Sequence, residues 1–335
     1  MQERNEGNAR IIQLSVRKFS IRAKNSISLN ELLRTELPAL LGVTMSNSKI
    51  RRLIMAGGVR CSGRQIRIPS YTVHAGNGVE VFYDEEKFFY EKKPDDINYE
   101  LTDKDVLFED DSVIVVNKPV HFPTEAGMVG ERDNLHAAVV RFLFARQKIE
   151  KPNAKNPPYV GIMHRLDRDT SGVILFTKTR SVNAACHEMF ENHTARKVYN
   201  AVVCIEKKRA GDFEEGKEFA VEFYMGRISP KGQPARWGRV KENDGGLFSR
   251  TEFKILGIFS EDEKYIYALA ECRPLTGRTH QIRVHLSSLG IPILGDVLYG
   301  GAEHERIMLH AHSLTFPHPV TGKVCEFSIK PPFCN

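Results

Sequence analysis

Hydrophobic residues recur with a helical period in two early segments of the chain. Leucines in residues 29–33 fall on one helical face, and isoleucine and leucine in residues 50–54 recur three and four positions apart behind Ser46, a favourable capping residue. Gly57-Gly58 permits the left-handed backbone that ends a helix. Residues 59–83 then read as short strands separated by glycine turns. The pattern predicts two helices followed by a small sheet.

The chain beyond residue 100 has the patterns of a larger mixed domain. Apolar runs at residues 106–108 and 113–116 predict strands, and the unbroken run at residues 173–176 predicts a buried strand. Apolar residues spaced through residues 181–193 predict a helix. Valine and tyrosine in residues 197–205 favour another strand. We therefore expect helices and strands in the same domain.

Two further stretches predict irregular structure. Residues 84–98 are charged, contain Pro94 and show no sustained apolar period, which is typical of a linker. Residues 206–250 are rich in glycine, which predicts hairpins and mobile loops. A chain of 335 residues is long enough for two domains. We divide it into a flexible tail at 1–17, a small module at 18–83, the linker at 84–98 and a large domain at 99–335.

The basic residues are concentrated in the small module. The whole chain has a net charge of +6, but residues 1–83 contain 13 Lys/Arg against 5 Asp/Glu, so the rest of the chain is slightly acidic. Residues 46–67 contain six basic residues and no acidic one. A solvated charged face is the ordinary interpretation, yet a basic patch without acids is typical of a surface that binds phosphates.

The remaining composition excludes several classes of protein. Hydrophobic residues make up 41% and charged residues 27% of the chain, as in soluble globular proteins, and residues 1–10 lack the apolar stretch of a signal peptide, so we expect a cytoplasmic protein without membrane contact. The six cysteines are scattered singly, which predicts reduced thiols. Neither the cysteines nor the histidines have the spacing of a metal site, and no phosphate-binding glycine loop is present. We expect neither a metal nor a cofactor.

One acidic residue stands at the start of the predicted buried strand. Residues 164–172 read His-Arg-Leu-Asp-Arg-Asp-Thr-Ser-Gly, so Asp167 lies between Arg165 and Arg168. Nearby cations favour the ionised form of a carboxyl group, and such a carboxylate can act as a nucleophile or a base. The alternative is an acid that merely stabilises a turn.

A second motif far along the chain favours the catalytic interpretation of Asp167 over the turn interpretation. Residues 273–286 read Arg-Pro-Leu-Thr-Gly-Arg-Thr-His-Gln-Ile-Arg-Val-His-Leu. Together with residues 164–172 this motif resembles the RluA-type family of RNA pseudouridine synthases. The resemblance covers most of residues 100–330 and continues in shorter pieces in the same order, namely Asn117-Lys118-Pro119, Lys197-Val198-Tyr199, Gly295-Asp296, Tyr299-Gly300 and 309–319.

The resemblance implies roles for three residues. It assigns the catalytic carboxylate to Asp167 and its basic partner to Arg283, which would keep the acid charged and oriented, although a structural salt bridge is the alternative for Arg283. It assigns to Tyr199 the stacking of an aromatic ring on the target base, with a core tyrosine as the alternative.

The resemblance assigns weaker roles to three more residues. The target uridine has to leave the RNA stack, and Arg165 either fills the space that the base vacates or binds its phosphate. A scaffold hydrogen bond is the alternative for Arg165. Ile282 and Leu286 are expected to line the pocket, although both could belong to the core of a helix. Residues 120–127 depart from the family pattern, and we assign no role to them.

Residues 18–83 resemble the S4 RNA-binding module, which larger synthases of this family carry at the N-terminus. The match is looser than that of the catalytic motifs and departs at Gly76-Asn77-Gly78, where the module usually has Gly-Asp. The basic side chains expected to contact phosphates are Lys49, Arg51, Arg52, Arg60 and Arg64.

Taken with these motifs, the resemblance implies an α+β protein. We expect a catalytic domain with a mixed, largely antiparallel sheet split by an active-site cleft, and a small N-terminal α/β RNA-binding module. We expect a monomeric isomerase that converts uridines in structured RNA, with large-subunit ribosomal RNA as the first candidate and transfer RNA as the second. The alternatives are a non-catalytic RNA-binding or ribosome-assembly factor and an aspartate-dependent nucleoside hydrolase.

Overall fold

The computed structural model describes residues 16–42, 44–84, 95–126, 132–230 and 235–334. The chain forms two compact units. The first consists of the chain up to residue 94 with the short segments 126–132 and 229–235, and the second contains the rest. Most of the expected tail and residues 85–94 of the expected linker lie outside the described residues.

In residues 16–42 and 44–84, the first unit contains two helices and two small sheets. The helices are α1 (Leu29–Leu41) and α2 (Asn47–Met55). Antiparallel strands follow one another in the order β1-β6-β3-β4, and β2 pairs with β5. The strands are β1 (Val16–Arg22), β2 (Ile27–Ser28), β3 (Val59–Cys61), β4 (Arg64–Gln65), β5 (Thr72–Val73) and β6 (Gly78–Asp84).

Local chemistry places both helices of the first unit where the sequence predicts them. The Ser28 hydroxyl accepts a hydrogen bond from the Glu31 N–H, and the Ser46 hydroxyl accepts one from the Lys49 N–H, so each serine caps its helix. The leucines of α1 and the apolar face of α2 are buried together against β3 and β6. The structure has the two predicted helices followed by short strands, and it adds two strands before the helices, of which β1 begins at Val16.

The second unit is built around one large sheet. In the described residues the strands follow the order β13-β12-β14-β15-β11-β16-β10-β8-β7, with β17 beside β16 and β9 beside β10. The strands are β7 (Val106–Glu109), β8 (Val113–Lys118), β9 (Gly161–Ile162), β10 (Ser171–Thr177), β11 (Arg196–Glu206), β12 (Glu218–Arg227), β13 (Trp237–Arg239), β14 (Leu247–Glu261), β15 (Tyr265–Pro274), β16 (Leu309–Pro317) and β17 (Val324–Ser328).

The pairing of β10 with β16 is parallel, whereas the other strand pairs are antiparallel. It joins Ser171 to His310 and Gly172 to Ala311. Beyond these two residues β10 runs along β8, and β16 runs along β11 and β17. The mixed, antiparallel-rich sheet is therefore confirmed, and its two halves are joined through a two-residue ladder.

Among the residues that the structure describes, three helices pack on this sheet. They are α3 (Leu135–Glu150), α4 (Asn183–Glu191) and α5 (Gln281–Ser288). Helix α3 is capped by Asn134, whose side-chain oxygen accepts from the Ala137 N–H at 3.0 Å, and the sequence patterns did not predict it. The glycine-rich stretch 206–250 forms the hairpins of β12, β13 and β14, with residues 231–234 outside the described part.

The core of the second unit has three apolar clusters, one of which surrounds β11 and α5. Among the described residues, no helix combines the length and the hydropathy needed to cross a membrane.

Candidate active site

Asp167 lies in a turn immediately before β10. The Thr170 N–H donates to the Asp167 carbonyl oxygen at 3.1 Å and closes the turn. The hydroxyl of Thr124 donates to the Leu166 carbonyl at 2.7 Å and accepts from the Leu166 N–H at 3.2 Å, which fixes the residue before the acid. Strand β10 is buried along its whole length, yet the Asp167 side chain remains 29% exposed. A rigid strand thus presents a carboxylate that a bound molecule can reach.

A fully buried lysine supports this turn from the end of β8. The Lys118 ammonium donates to the carbonyl oxygens of Pro119 at 2.9 Å, Arg168 at 3.0 Å and Thr170 at 2.7 Å. Burial lowers the pKa of Lys118 to about 7, although the Asp169 and Asp167 carboxylates oppose that effect. Lys118 therefore holds the main chain on both sides of the turn and places a partial positive charge behind it.

Arg283 connects Asp167 to a second acid. The Arg283 guanidinium donates to both carboxylate oxygens of Asp296, at 2.7 and 2.9 Å, and its remaining nitrogen lies 3.6 Å from Asp167 Oδ2. Arg283 and Asp296 are almost completely buried. The direct hydrogen-bonding partner of Arg283 is therefore Asp296, and Asp167 is a second, more distant partner. Asp296 fixes the guanidinium so that one edge faces the exposed acid.

His280 and Tyr299 complete the surroundings of the arginine. The Arg283 guanidinium lies 5.1 Å from the centre of the Tyr299 ring, and the Tyr299 hydroxyl is 2.8 Å from His280 Nδ1. His280 Nε2 lies 4.0 Å from Asp167 Oδ2. His280 has a left-handed backbone with φ of 56° directly before α5, which turns its ring towards the acid.

Tyr199 lies on β11, between β15 and β16. It pairs with Cys272 on one side and Ala311 on the other, and the register towards β16 shifts between Val198 and Tyr199. Its ring is partly buried against two apolar clusters. Burial, together with the charge of Asp167, raises the pKa of the Tyr199 hydroxyl well above its ordinary value. Tyr199 is therefore a neutral phenol close to the acid.

The charges around Asp167 keep it ionised. Burial raises the pKa of this carboxyl, but the charge that His280 carries once it is protonated at low pH and the permanent charges of Arg283 and Arg165 outweigh burial and hold the pKa below its ordinary value. Burial also lowers the pKa of His280 itself to about 4, so this ring is neutral at pH 7. Near neutral pH the arginines and Lys118 therefore stabilise the carboxylate.

Arg168, the residue after Asp167, is surrounded by acids. Its guanidinium binds Asp96 at 2.6 Å, Asp95 at 2.5 Å and Asp169. The His121 ring lies 3.3 Å from Asp95 and 3.2 Å from Asp169. Within the described residues, Asp95, His121 and Asp169 form the group whose spacing suits a metal ion. Because Arg168 already pairs with both of these carboxylates, the group belongs to an ion-pair network that holds the turn.

The other predicted pocket residues occupy different environments. Arg165 is 40% exposed and pairs with Glu125 at 2.6 Å, at the rim of the site. Ile282 and Leu286 lie on α5 and belong to the apolar core, with 6% and 0% exposure. Their burial favours the core alternative, and a contact of either side chain with the base stays a prediction.

The five basic residues of the first unit that are predicted to contact phosphates lie on α2 and on the β3–β4 hairpin. Arg51, Arg52, Arg60 and Arg64 are exposed, and Lys49 is half-buried. The Arg60 guanidinium lies 5.1 Å from the centre of the Phe82 ring. Their contact with phosphates stays a prediction.

Four residues join the site without having been assigned a role from the sequence. Lys118, His280, Asp296 and Tyr299 all lie inside motifs that carry the family resemblance. Their position inside those motifs was the sequence signal that could have identified them as site residues. The contacts they make join residues as far apart in the sequence as Asp167 and His280, so residue spacing does not reveal them.

Comparison with known proteins agrees with this geometry. Residues 112–288 match the family model described as RNA pseudouridylate synthase, and residues 41–79 match that of the S4 domain. The ribosomal large subunit pseudouridine synthase C of Escherichia coli K12 is 31% identical over 313 residues, which cover 88% of this chain and 86% of that protein.

Two further matches concern related sequences and folds. An uncharacterised RNA pseudouridine synthase of Bacillus subtilis is 35% identical over 232 residues, covering 67% of this chain and 68% of that protein. The solved structure of human RNA pseudouridylate synthase domain containing 4 has a TM-score of 0.50 at 21% identity, covering 68% of this chain and 89% of that one. The second match shows a shared fold.

Proposed function

This chain belongs to the RNA pseudouridylate synthase family, and from that premise we propose that it isomerises a uridine of large-subunit ribosomal RNA with Asp167 as the catalytic carboxylate. The isomerase activity follows from the family, whereas the RNA target and the catalytic residue are our proposals. The observation that supports the residue is the partly exposed carboxylate of Asp167, 3.6 Å from the buried guanidinium of Arg283.

The reaction requires an ionised acid beside the nucleotide. The bond from ribose C1′ to uracil N1 breaks, the base turns, and a bond from C1′ to C5 forms. The proton on C5 leaves and N1 gains a proton, so the isomerisation changes neither composition nor oxidation state. A carboxylate can act at the sugar or add to the base, and both routes begin with the charged form. Asp167 supplies that form because its pKa lies below the ordinary value.

The groups around Asp167 have complementary tasks in this proposal. Arg283 keeps the carboxylate charged and oriented, and Asp296 fixes Arg283. Tyr199 offers a neutral aromatic ring beside the acid. The uracil stacks on this ring, and the stacking contributes about 1–3 kcal/mol of binding free energy. Arg165, at the exposed rim, is placed to occupy the RNA stack that the turned-out uridine leaves. We place the RNA in a cleft where the two halves of the sheet meet.

Ribosomal RNA is the proposed substrate for two reasons. The Escherichia coli relative, which resembles most of the chain, bears the name of a large-subunit enzyme. The S4 domain and the net charge of residues 1–83 provide a second, basic unit that suits a large structured RNA. We infer that the first unit contributes affinity and that the second performs the chemistry.

The test maps pseudouridine in total RNA from cells with and without the gene. We expect one or more positions in large-subunit ribosomal RNA to lose the modification and to regain it with the wild-type gene, but not with Asp167→Asn. That substitution keeps the size of the side chain and removes its charge, and purified Asp167→Asn protein should still bind the RNA, because dispersed phosphate contacts provide affinity. Loss of positions in transfer RNA would redirect the target, and turnover by Asp167→Asn would refute the catalytic assignment.

A further inference from the structure

Lys197 is a half-buried cation without a partner. It lies on β11, two residues before Tyr199. In the part of the chain that the structure describes, the Lys197 ammonium makes no hydrogen bond and no ion pair, in contrast to Lys118, which has three acceptors. Withdrawing an ammonium group from water without an acceptor is unfavourable. The position of Lys197 therefore calls for an anion that is supplied from outside the protein.

The ammonium of Lys197 lies between two motifs of the active site. It is 3.6 Å from the position that a Cβ atom on Gly277 would occupy. Burial, together with the Lys197 charge, lowers the pKa of the His164 ring to about 3. His164 begins the motif that contains Asp167, and Gly277 belongs to the motif that contains Arg283. Lys197 thus lies where the two halves of the catalytic site meet.

A second cation without an acid stands beside the same glycine. Arg278 is exposed and uses its Nε to donate to the Phe248 carbonyl at 3.0 Å. No described carboxylate lies within ion-pair distance of Arg278, whereas Arg273 pairs with Glu271 and Arg250 with Glu222 nearby in the same sheet. The terminal nitrogens of Arg278 therefore remain available for a further acceptor.

The turn that connects these cations is held in place from below. Gln281 Oε1 accepts from the Thr276 hydroxyl at 2.6 Å and from the Arg278 N–H at 3.0 Å, and the Gln281 amide donates to the Arg250 carbonyl. Gly277 is exposed and has no side chain that would block an approaching group. A fixed turn with a bare glycine between two available cations suits a tetrahedral anion.

We propose that Lys197 and Arg278 bind one backbone phosphate of the RNA strand next to the target uridine. This inference rests on the proposed function, because it places the phosphodiester beside the site of Asp167. The contact positions the nucleotide for the reaction, since it fixes the backbone while the base turns onto Tyr199. It adds to the dispersed phosphate contacts of the first unit a contact at the reacting nucleotide itself.

The test combines protein variants with RNA that lacks single charges. The RNA is a synthetic fragment that spans the uridine found by mapping, and each phosphate flanking that uridine is replaced in turn by an uncharged methylphosphonate. Dissociation constants are measured for the full chain in the Asp167→Asn form, alone and combined with Lys197→Met or Arg278→Met. Single-turnover rates are measured in the active form. Lys217→Met, which removes an exposed charge directly before β12, is the matched control.

We expect Lys197→Met to weaken binding about tenfold or more, the range of a charge-assisted hydrogen bond. One methylphosphonate should weaken wild-type binding by a similar factor and have little further effect on the Lys197→Met protein, because both changes remove the same contact. Lys197→Arg should restore most of the affinity, and Lys217→Met should leave the pattern of the wild type unchanged.

The outcomes separate this inference from the proposed function. If wild-type protein forms no pseudouridine in any RNA, the proposed function is refuted. If it forms pseudouridine but the losses from Lys197→Met and from every methylphosphonate add independently, the phosphate site is refuted and the function stands. Should Lys197→Met fail to fold, Arg278→Met decides by the same criterion, since its exposed side chain can be shortened without disturbing the core.

Discussion

Replacing Asp296 by asparagine tests whether a buried acid positions the catalytic pair. The Asp296→Asn side chain has the same shape but cannot neutralise Arg283, from which Asp296 accepts hydrogen bonds at 2.7 and 2.9 Å. The chain offers a matched control, because Asp133 accepts two bonds of 2.9 and 2.8 Å from Arg141. The two pairs differ in burial, since the exposed fractions are 6% and 1% in the first and 40% and 39% in the second.

The expected losses of stability differ accordingly. Breaking a buried pair leaves an uncompensated charge and costs about 3–5 kcal/mol, whereas an exposed pair contributes about 0–1 kcal/mol. For a domain of this size about 1 kcal/mol corresponds to a shift in Tm of about 2–4 °C. We therefore expect Asp296→Asn to lower the Tm of the second unit by about 6–20 °C and Asp133→Asn to lower it by less than about 4 °C.

The rate should respond through Asp167. Without Asp296, the nearest carboxylate to Arg283 is Asp167, 3.6 Å away, and the guanidinium is expected to move onto it and occupy the oxygen that the reaction needs. A misplacement of a catalytic group by about 1 Å costs about a hundredfold in rate. The affinity for RNA should change little, because phosphate contacts elsewhere provide it.

The measurements use the single tryptophan of the chain, Trp237, which is buried in the second unit and reports its unfolding by fluorescence. Single-turnover rates at saturating RNA are compared at a temperature where all proteins are folded. Equal shifts in Tm for Asp296→Asn and Asp133→Asn, or a normal rate in folded Asp296→Asn, would contradict the reasoning.

Three further predictions concern the charge, the module and the backbone. The pKa of Asp167 lies below the ordinary 3.8, so its carboxylate should stabilise the protein above pH 3.8, and this stability is lost as the pH falls through the pKa of the folded state. Arg283→Met should move the acid limb of the pH–rate profile to higher pH with little loss of RNA affinity. An unmoved acid limb would argue against the Asp167–Arg283 pair. Deleting residues 1–83 should reduce the slope of the logarithm of the binding constant against the logarithm of the salt concentration by roughly 0.7–0.9 per lost phosphate contact, and it should leave the rate at saturating RNA intact. An unchanged slope would exclude phosphate binding by the module. Gly172→Ala places a carbon 2.2 Å from a main-chain carbonyl oxygen and should cost more than about 4 kcal/mol of stability. Gly322→Ala, where φ is 69° and not 116° as at Gly172 and where the space is open, should cost about 1–2 kcal/mol; thermal melts compare the two variants.

Elements with local signals were predictable from the sequence. The serine caps of α1 and α2 and the unbroken apolar run of β10 depend on neighbours in the chain, and the structure contains all three. Helix α3 was not predicted because its apolar residues, including the run from Phe142 to Phe144, occupy more than one helical face. No single stripe marks its period.

The site was predictable where a motif carries it and not where tertiary contacts build it. The resemblance named Asp167 and Arg283, which the structure places 3.6 Å apart. The sequence could not show that Arg283 donates to Asp296, 13 positions further along the chain, or that Lys118 reaches carbonyls 50 and 52 residues away. Such contacts depend on how strands are ordered in the sheet, which residue spacing does not encode.

The two-residue ladder between β10 and β16 makes the active site sensitive to bending of the sheet. Asp167 belongs to the half-sheet of β10, whereas Arg283 packs on the other half, and the ladder at Ser171 and Gly172 joins them. An ion pair weakens as its charges separate, so bending at this joint changes how strongly the arginine stabilises the acid. The pKa of Asp167 therefore depends on the curvature of the sheet, and substitutions of residues along the joint can change this pKa even where those residues do not contact RNA.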